Sequence, residues 1–219
     1  QLRISREGLE PGVYHDKLVI DGGSAGSKEI PIQMQVAAVQ QEIPIQPGDE
    51  WRYFKGQKEP PKAWNQLDFD DSDWLAGPSG IGYSNDIQYA TTLNDMPHNY
   101  ISFYARRTFQ IVDPSSYANL TLGMVYDDGF VAYINGVEVV RSPSMGSPAV
   151  PSTFKTKAAK AHDEGLPETL FAIPLEGDLL KSGDNVLAIQ VHNDYIGSGD
   201  CGMVPRLLAG RMVEKPANP

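Results

Sequence analysis

Tyr126-Asp127-Asp128-Gly129-Phe130-Val131-Ala132-Tyr133-Ile134-Asn135-Gly136-Val137-Glu138-Val139-Val140-Arg141 is the stretch whose reading decides the fold. Val131 and Tyr133 on one side of Asn135-Gly136, and Val137 and Val139 on the other, alternate with period two in β-branched and aromatic residues, which predicts two short strands. Asn-Gly between such strands is a strong two-residue hairpin signal, because both residues tolerate the positive φ of a type I′ turn. Asp127-Asp128-Gly129 reads as a second turn just before the hairpin.

Working outward, the flanks carry more strands. Upstream are Trp51–Gly56, Ile101–Ile111 (ended by Asp113-Pro114) and Leu120–Val125. Downstream are Thr169–Pro174, Asn185–Asn193 and the apolar run Val204–Ala209. Gly177–Gly183 reads as a short helical turn ending on glycine, and Lys155–Ala161 as one helical turn or none. Gly77–Tyr83 reads as loop, and residues 84–100 as a long polar loop, of a length that is often functional. Trp51, Trp64 and Trp74 are expected in the core or at corners, with Phe69 beside Trp74.

Before residue 48 the pattern changes. Leu9–Tyr14 leads into a strand at 17–21, a Gly/Ser turn follows, then a second strand at 30–36, where Ile30, Ile32, Met34 and Val36 alternate as though one face were buried. Two strands alone are marginal in water, so they need a sheet from elsewhere. Residues 37–46 read as a linker, and the tail from Lys215 as frayed.

Bulk properties narrow the class. The chain has 219 residues, 41% of them hydrophobic, with 21 glycines and 17 prolines that suit many short strands and turns. A net charge of −10 argues against nucleic acid or an anionic membrane surface as partner. No apolar run is long enough for a membrane-spanning helix. A single cysteine, Cys201, leaves no intrachain disulfide. The chain begins at Gln1 with no signal peptide, and is expected to be a fragment of something longer.

Two resemblances follow from the motifs. L-x-P-G-x-Y at 9–14, L-V-I-D-G at 18–22 and I-P-I-x-M-x-V at 30–36 resemble the last hairpin of BACON-type immunoglobulin-like modules. From 48 to 212 the order W-R-Y-F, F-D-D-S-D-W, G-Y, Y-x-R-R-T-F, Y-D-D-G-F-V-A-Y-I-N-G-V-E-V, G-D-N-V-L-A-I-Q-V-H-N is similar to the galactose-binding-domain-like β-sandwich, a jelly roll, found in the sugar-binding domain of family 2 glycoside hydrolases. The expected fold is therefore all-β: a two-stranded immunoglobulin-like remnant plus linker at 1–40, then the sandwich at 41–215. The resemblance implies a non-catalytic carbohydrate-binding module of a secreted or cell-surface, multimodular bacterial protein. Its partners would be a glycan and the neighbouring domains of a longer chain. A structural packing module without a sugar ligand, and a hydrolase, are the alternatives.

His15, His98, His162 and His192 lack the spacing of a zinc site, and there is no nucleophile elbow or phosphate-cradling loop, so no catalytic residue is singled out. Asp127-Asp128 reads either as a Ca²⁺ site or as a turn whose carboxylates bond backbone N–H groups. A sugar site needs aromatic faces beside amides and carboxylates. Tyr83, Asn85, Asp86, Tyr89, His98 and Tyr100 in one long loop, with Asp194 and Tyr195 in another, supply both if the two loops meet. The competing reading is that Tyr83, Tyr89 and Tyr100 cover the sandwich edge. His192 reads as lining that site or, alternatively, as a strand-end histidine bonded to nearby backbone.

Overall fold

The computed structural model describes residues 8–163, 165 and 167–213; the expected frayed tail from Lys215 lies outside them. The fold is an all-β sandwich. The strands are β1 (Gly12–Asp21), β2 (Ser27–Val36), β3 (Ala38–Ile45), β4 (Glu50–Lys55), β5 (Leu75–Pro78), β6 (Ile81–Tyr83), β7 (Thr91–Thr92), β8 (Ser102–Ile111), β9 (Tyr117–Asp127), β10 (Gly129–Ile134), β11 (Val137–Arg141), β12 (Thr169–Ile173), β13 (Gly183–His192) and β14 (Cys201–Val213). One six-stranded sheet runs β11-β10-β13-β8-β4-β5. The other runs β12-β9-β14-β6-β7, with β3 also paired to β14. All pairings are antiparallel except β6 with β7.

The Asn135-Gly136 hairpin forms as its residue types require. Ile134 faces Val137 across the turn, and Asn135 (φ 50°) and Gly136 (φ 85°) both take positive φ. Asn135 also ties the turn to its neighbours. Its amide donates to Leu179 O and Asn185 Oδ1, and its Oδ1 accepts from Val186 N–H. Asp127-Asp128-Gly129 is not the expected turn. Asp127 still pairs with Gly202 in one sheet and Gly129 already pairs with His192 in the other, so these residues carry the chain from sheet to sheet.

Other expectations change for similar reasons. Residues 38–45 are a strand, because Ala38–Ile45 meet the free edge of β14 beyond the part used by β6. Gly77–Tyr83 contributes to β5 and β6, and its glycines serve packing: a Cβ on Gly202, opposite Gly82, would come within 2.2 Å of the Tyr89 ring, and Gly80 and Gly82 border the same ring. Gly177–Gly183 and Lys155–Ala161 form turns and bends without a helix. No residue of β1 or β2 is buried: on the face expected to be covered Ile32, Met34 and Val36 are half-buried and Ile30 is exposed, and Val13, Val19 and Ile20 are exposed as well.

Between the two sheets lies one apolar core that includes Trp51, Phe103, Leu120, Leu122, Phe130, Leu187 and Ile189. The outer face of the β10-β13-β8-β4 region is covered as well. Residues 57–74 lay Trp64 and Trp74 over Tyr104 and Ala188, the two indoles stacked with centroids 6.4 Å apart. That covering segment is held by Arg106, which is almost fully buried. Its guanidinium donates to Gln66 O and Phe69 O, both at 2.7 Å, pairs with Asp71 at 2.8 Å, and lies over the Phe69 ring. Only a flat fork of donors meets three acceptors in these directions.

Arg106→Lys is therefore expected to leave buried acceptors unpaired and to lower stability by about 3 kcal/mol in urea denaturation, with loss of near-ultraviolet dichroism from the indole stack. An unchanged midpoint and spectrum would show that the segment is held by apolar packing alone.

Candidate functional site

Both long loops emerge at one end of the sandwich, and they meet. His98 N–H donates to Ile196 O at 2.7 Å, and Tyr83 OH donates to Ser198 O at 3.1 Å. A Cβ on Gly197 would lie 3.1 Å from both His98 Cε1 and Tyr195 Cε2, so these two rings flank that glycine. Asn85 packs against Gly199 in the same way.

The frame behind the loops is polar and buried. Asn193, at the end of β13, closes the loop 194–200: its amide donates to Asp200 O and Tyr83 OH, and its Oδ1 accepts from Tyr195 N–H. A third loop, from 142 to 168, is stapled to the same strand end. Ala158 N–H donates to Asn193 O, and Ser102 Oγ donates to Phe154 O. His192 sits beside them with Nδ1–H donating to Thr156 O at 2.8 Å, the backbone-bonded histidine of the second sequence reading.

Asp128 ties the assembly to the corner between the sheets. It is buried, with Oδ1 accepting from His162 N–H and Oδ2 from Asp194 N–H, both at 2.8 Å. The carboxylate bonds backbone N–H groups, but these belong to distant loops and not to the neighbours of a turn, as the turn reading expected. A calcium ion would have to share oxygens already engaged in this way. Among the described residues no group of three or more His, Cys, Asp or Glu is placed to hold a metal. Burial, with the Asp194 carboxyl nearby, pushes Asp128 up to about 6, against the pull of the two N–H donors. Burial takes His192 down to about 4, with the Arg141 charge adding to it and the bond to Thr156 opposing.

The ten residues singled out from sequence thus divide. Tyr195 is 52% exposed, and His98, Asn85 and Asp86 are also exposed. Tyr83, Tyr89 and Tyr100 are buried, at 7%, 3% and 4%, so their ring faces are not open to a ligand. Tyr83 is fixed by Ser198 and Asn193, Tyr100 donates to Asp95, and Tyr89 fills the glycine slot. Burial raises the hydroxyls of Tyr83 and Tyr100 far above the usual phenol range. Asp194 is half-buried, its N–H spent on Asp128. Asp127 and Asp128 are both buried at the corner.

Two clefts open at this end. A polar one of about 310 Å³ is lined by Asn85, Asp86, Gln88 and Asn94 over the edges of Tyr83 and Tyr89. A more apolar one of about 390 Å³ lies beyond Ile196, against Tyr100, Ile101 and Phe154. Phe154 and the residues after it were missed in the sequence, where 142–168 carries no strand or helix period. The one available signal was His192-Asn193, a polar pair ending a buried strand.

No protein-family model and no curated protein matches the chain. Among solved structures it is similar to a β-glucuronidase from glycoside hydrolase family 2, at 14% identity and TM-score 0.49, over 81% of this chain and 18% of that one. An uncultured Clostridium sp. β-glucuronidase matches at 13% and 0.49, over 82% of this chain and 30% of that one. Bacteroides uniformis β-glucuronidase 2 matches at 16% and 0.48, over 78% and 18%. The chain thus spans less than a third of these proteins, and likeness at this level carries no argument; the sandwich rests on the strand pairing above.

His192 gives a pH test. Its depressed value means that the unfolded chain takes up a proton, between about 6.5 and 4, that the folded chain refuses, so stability is lost as pH falls through that window. His192→Asn keeps a donor for Thr156 O without titrating. Relative to this variant, the wild type is expected to lose up to about 3 kcal/mol between pH 7 and pH 4 in denaturation experiments. Parallel pH profiles for the two proteins would contradict the buried, neutral histidine.

Proposed function

We propose that the chain is a non-catalytic, glycan-docking module of the galactose-binding-like jelly-roll kind, carried by a larger secreted or cell-surface bacterial protein. One observation carries the reading: two loops joined by the His98–Ile196 bond hold the exposed Tyr195 ring beside exposed His98, on a buried hydrogen-bonded frame, with the amides and carboxylate of the polar cleft close by. A pyranose ring presents C–H groups on one face and hydroxyls around its rim. An aromatic face and fixed amide or carboxylate groups answer both. A frame already ordered before binding lowers the entropy lost on docking.

In this mechanism Tyr195 supplies the stacking face, and Asn85, Asp86 and His98 supply donors and acceptors for hydroxyls. Tyr83, Tyr89 and Tyr100 act from beneath, as supports. Reversible docking here would keep an attached catalytic domain on its substrate. A second reading, a packing module between domains, is favoured by the β1–β2 hairpin, whose apolar residues lie open and whose surface suits a neighbouring domain of the same protein.

Affinity electrophoresis against a polysaccharide panel, followed by calorimetry, separates the two. The glycan reading expects retardation by at least one polysaccharide and a roughly tenfold loss of affinity in Tyr195→Ala, about 1.4 kcal/mol, with unchanged thermal stability. No retardation by any polysaccharide would leave the packing reading.

A further inference from the structure

We infer that the cleft beyond Ile196 is an acidic-saccharide subsite, selecting glycans that carry carboxylate or sulfate groups; this rests on the glycan-docking reading above. The cleft of about 390 Å³ is lined by Gln57, Asn99, Phe154, Lys155, Lys157 and Ile196, with Tyr100 and Ile101 at its floor. It combines an apolar wall, two side-chain amides and two ammonium groups.

The lysines are what distinguish it. In a chain whose net charge of −10 otherwise disfavours anions, Lys155 and Lys157 stand two residues apart, both exposed, in and just after a turn closed by Thr156 N–H donating to Thr153 O. Among the described residues neither takes part in an ion pair, which is also true of Lys28, Lys58, Lys62, Lys160 and Lys181; what sets the two apart is their place on the cleft. Lys155 Nζ lies 5.2 Å from the centre of the Phe154 ring, at the cleft wall. The acids in the vicinity are engaged. Glu59 accepts the Phe154 N–H at 3.0 Å, and Asp95 pairs with Lys55 and accepts from Tyr100 OH.

The segment that bears the lysines is fixed rather than loose. Phe154 O, Thr156 O and Ala158 N–H are bonded to Ser102, His192 and Asn193, and residues 155 and 157 between them are exposed. Ile196 joins this cleft to the Tyr195 platform, and a chain of sugar units crossing from one to the other would bring an acidic substituent to the lysines. Exposed ion pairs are individually weak, so selectivity comes from the two together and weakens with salt.

The test uses polygalacturonate, alginate and chondroitin sulfate, each beside its carboxyl-reduced or desulfated counterpart, with calorimetry on the wild type and on the double variant Lys155→Gln, Lys157→Gln. The expected result is at least one acidic polymer bound roughly tenfold more tightly than its neutral counterpart. That preference should shrink in 0.5 M NaCl and vanish in the double variant, whose melting temperature is unchanged. Equal binding of acidic and neutral forms, or a preference that survives the double substitution, overturns the inference and leaves glycan docking intact. Binding of no acidic or neutral polymer overturns both.

Discussion

A buried carboxylate that holds backbone is the constraint on which the end of this sandwich depends. At Asp128 the chain leaves one sheet and enters the other, and its side chain takes the N–H of His162 with one oxygen and that of Asp194 with the other. Neither loop has a ladder of its own to satisfy those groups. An unmet buried N–H costs about 1–3 kcal/mol, so the carboxylate decides where both loops run. Its own burial opposes ionisation, and its value rises to about 6. His192, two residues before Asp194, is displaced the other way. A raised acid gives up its contribution to stability as pH climbs through 6, and a depressed base gives up its own as pH falls toward 4.

Arg106 applies the same logic to the face of a sheet. The strand alternation of β13 leaves Ala188, Gln190 and His192 pointing out of the sandwich, yet all are buried. The segment 57–74 covers part of that face with stacked indoles, and the guanidinium fixes its carbonyls. A sheet face that could have been an open cleft is thereby filled. The groups left open to solvent include those of the loops at the end, where Tyr195, His98 and the lysine-bearing segment are exposed.

Much of the sandwich was legible in the sequence because its strands obey period two and its hairpin needs Asn-Gly. What was not legible had no local cause. Ala38–Ile45 looks like a linker until β14 offers it an edge, and Gly80 and Gly82 look like loop until the Tyr89 ring is placed over them. The meeting of the two long loops was an explicit condition of the sequence reading, and it holds. The choice of tyrosines was harder, since a tyrosine in a polar loop reads the same whether it props the loop from beneath or faces solvent. Tyr83, Tyr89 and Tyr100 do the first and Tyr195 the second. The placing of Lys155 and Lys157 on one cleft has no local signal, because the bonds that fix their segment come from His192, Asn193 and Ser102, far away in sequence.

The end of the sandwich depends on these loops being one cooperative body with the strands rather than free connections. Amide hydrogen exchange, resolved by residue, measures this directly at Ala158, His162 and Asp194, whose N–H groups meet Asn193 O and the Asp128 carboxylate. The predicted result is protection comparable to that of the β13 amides such as Gln190, lost together in Asp128→Ala. Exchange of these three amides at the rate of an unstructured peptide, while β13 stays protected, would contradict it.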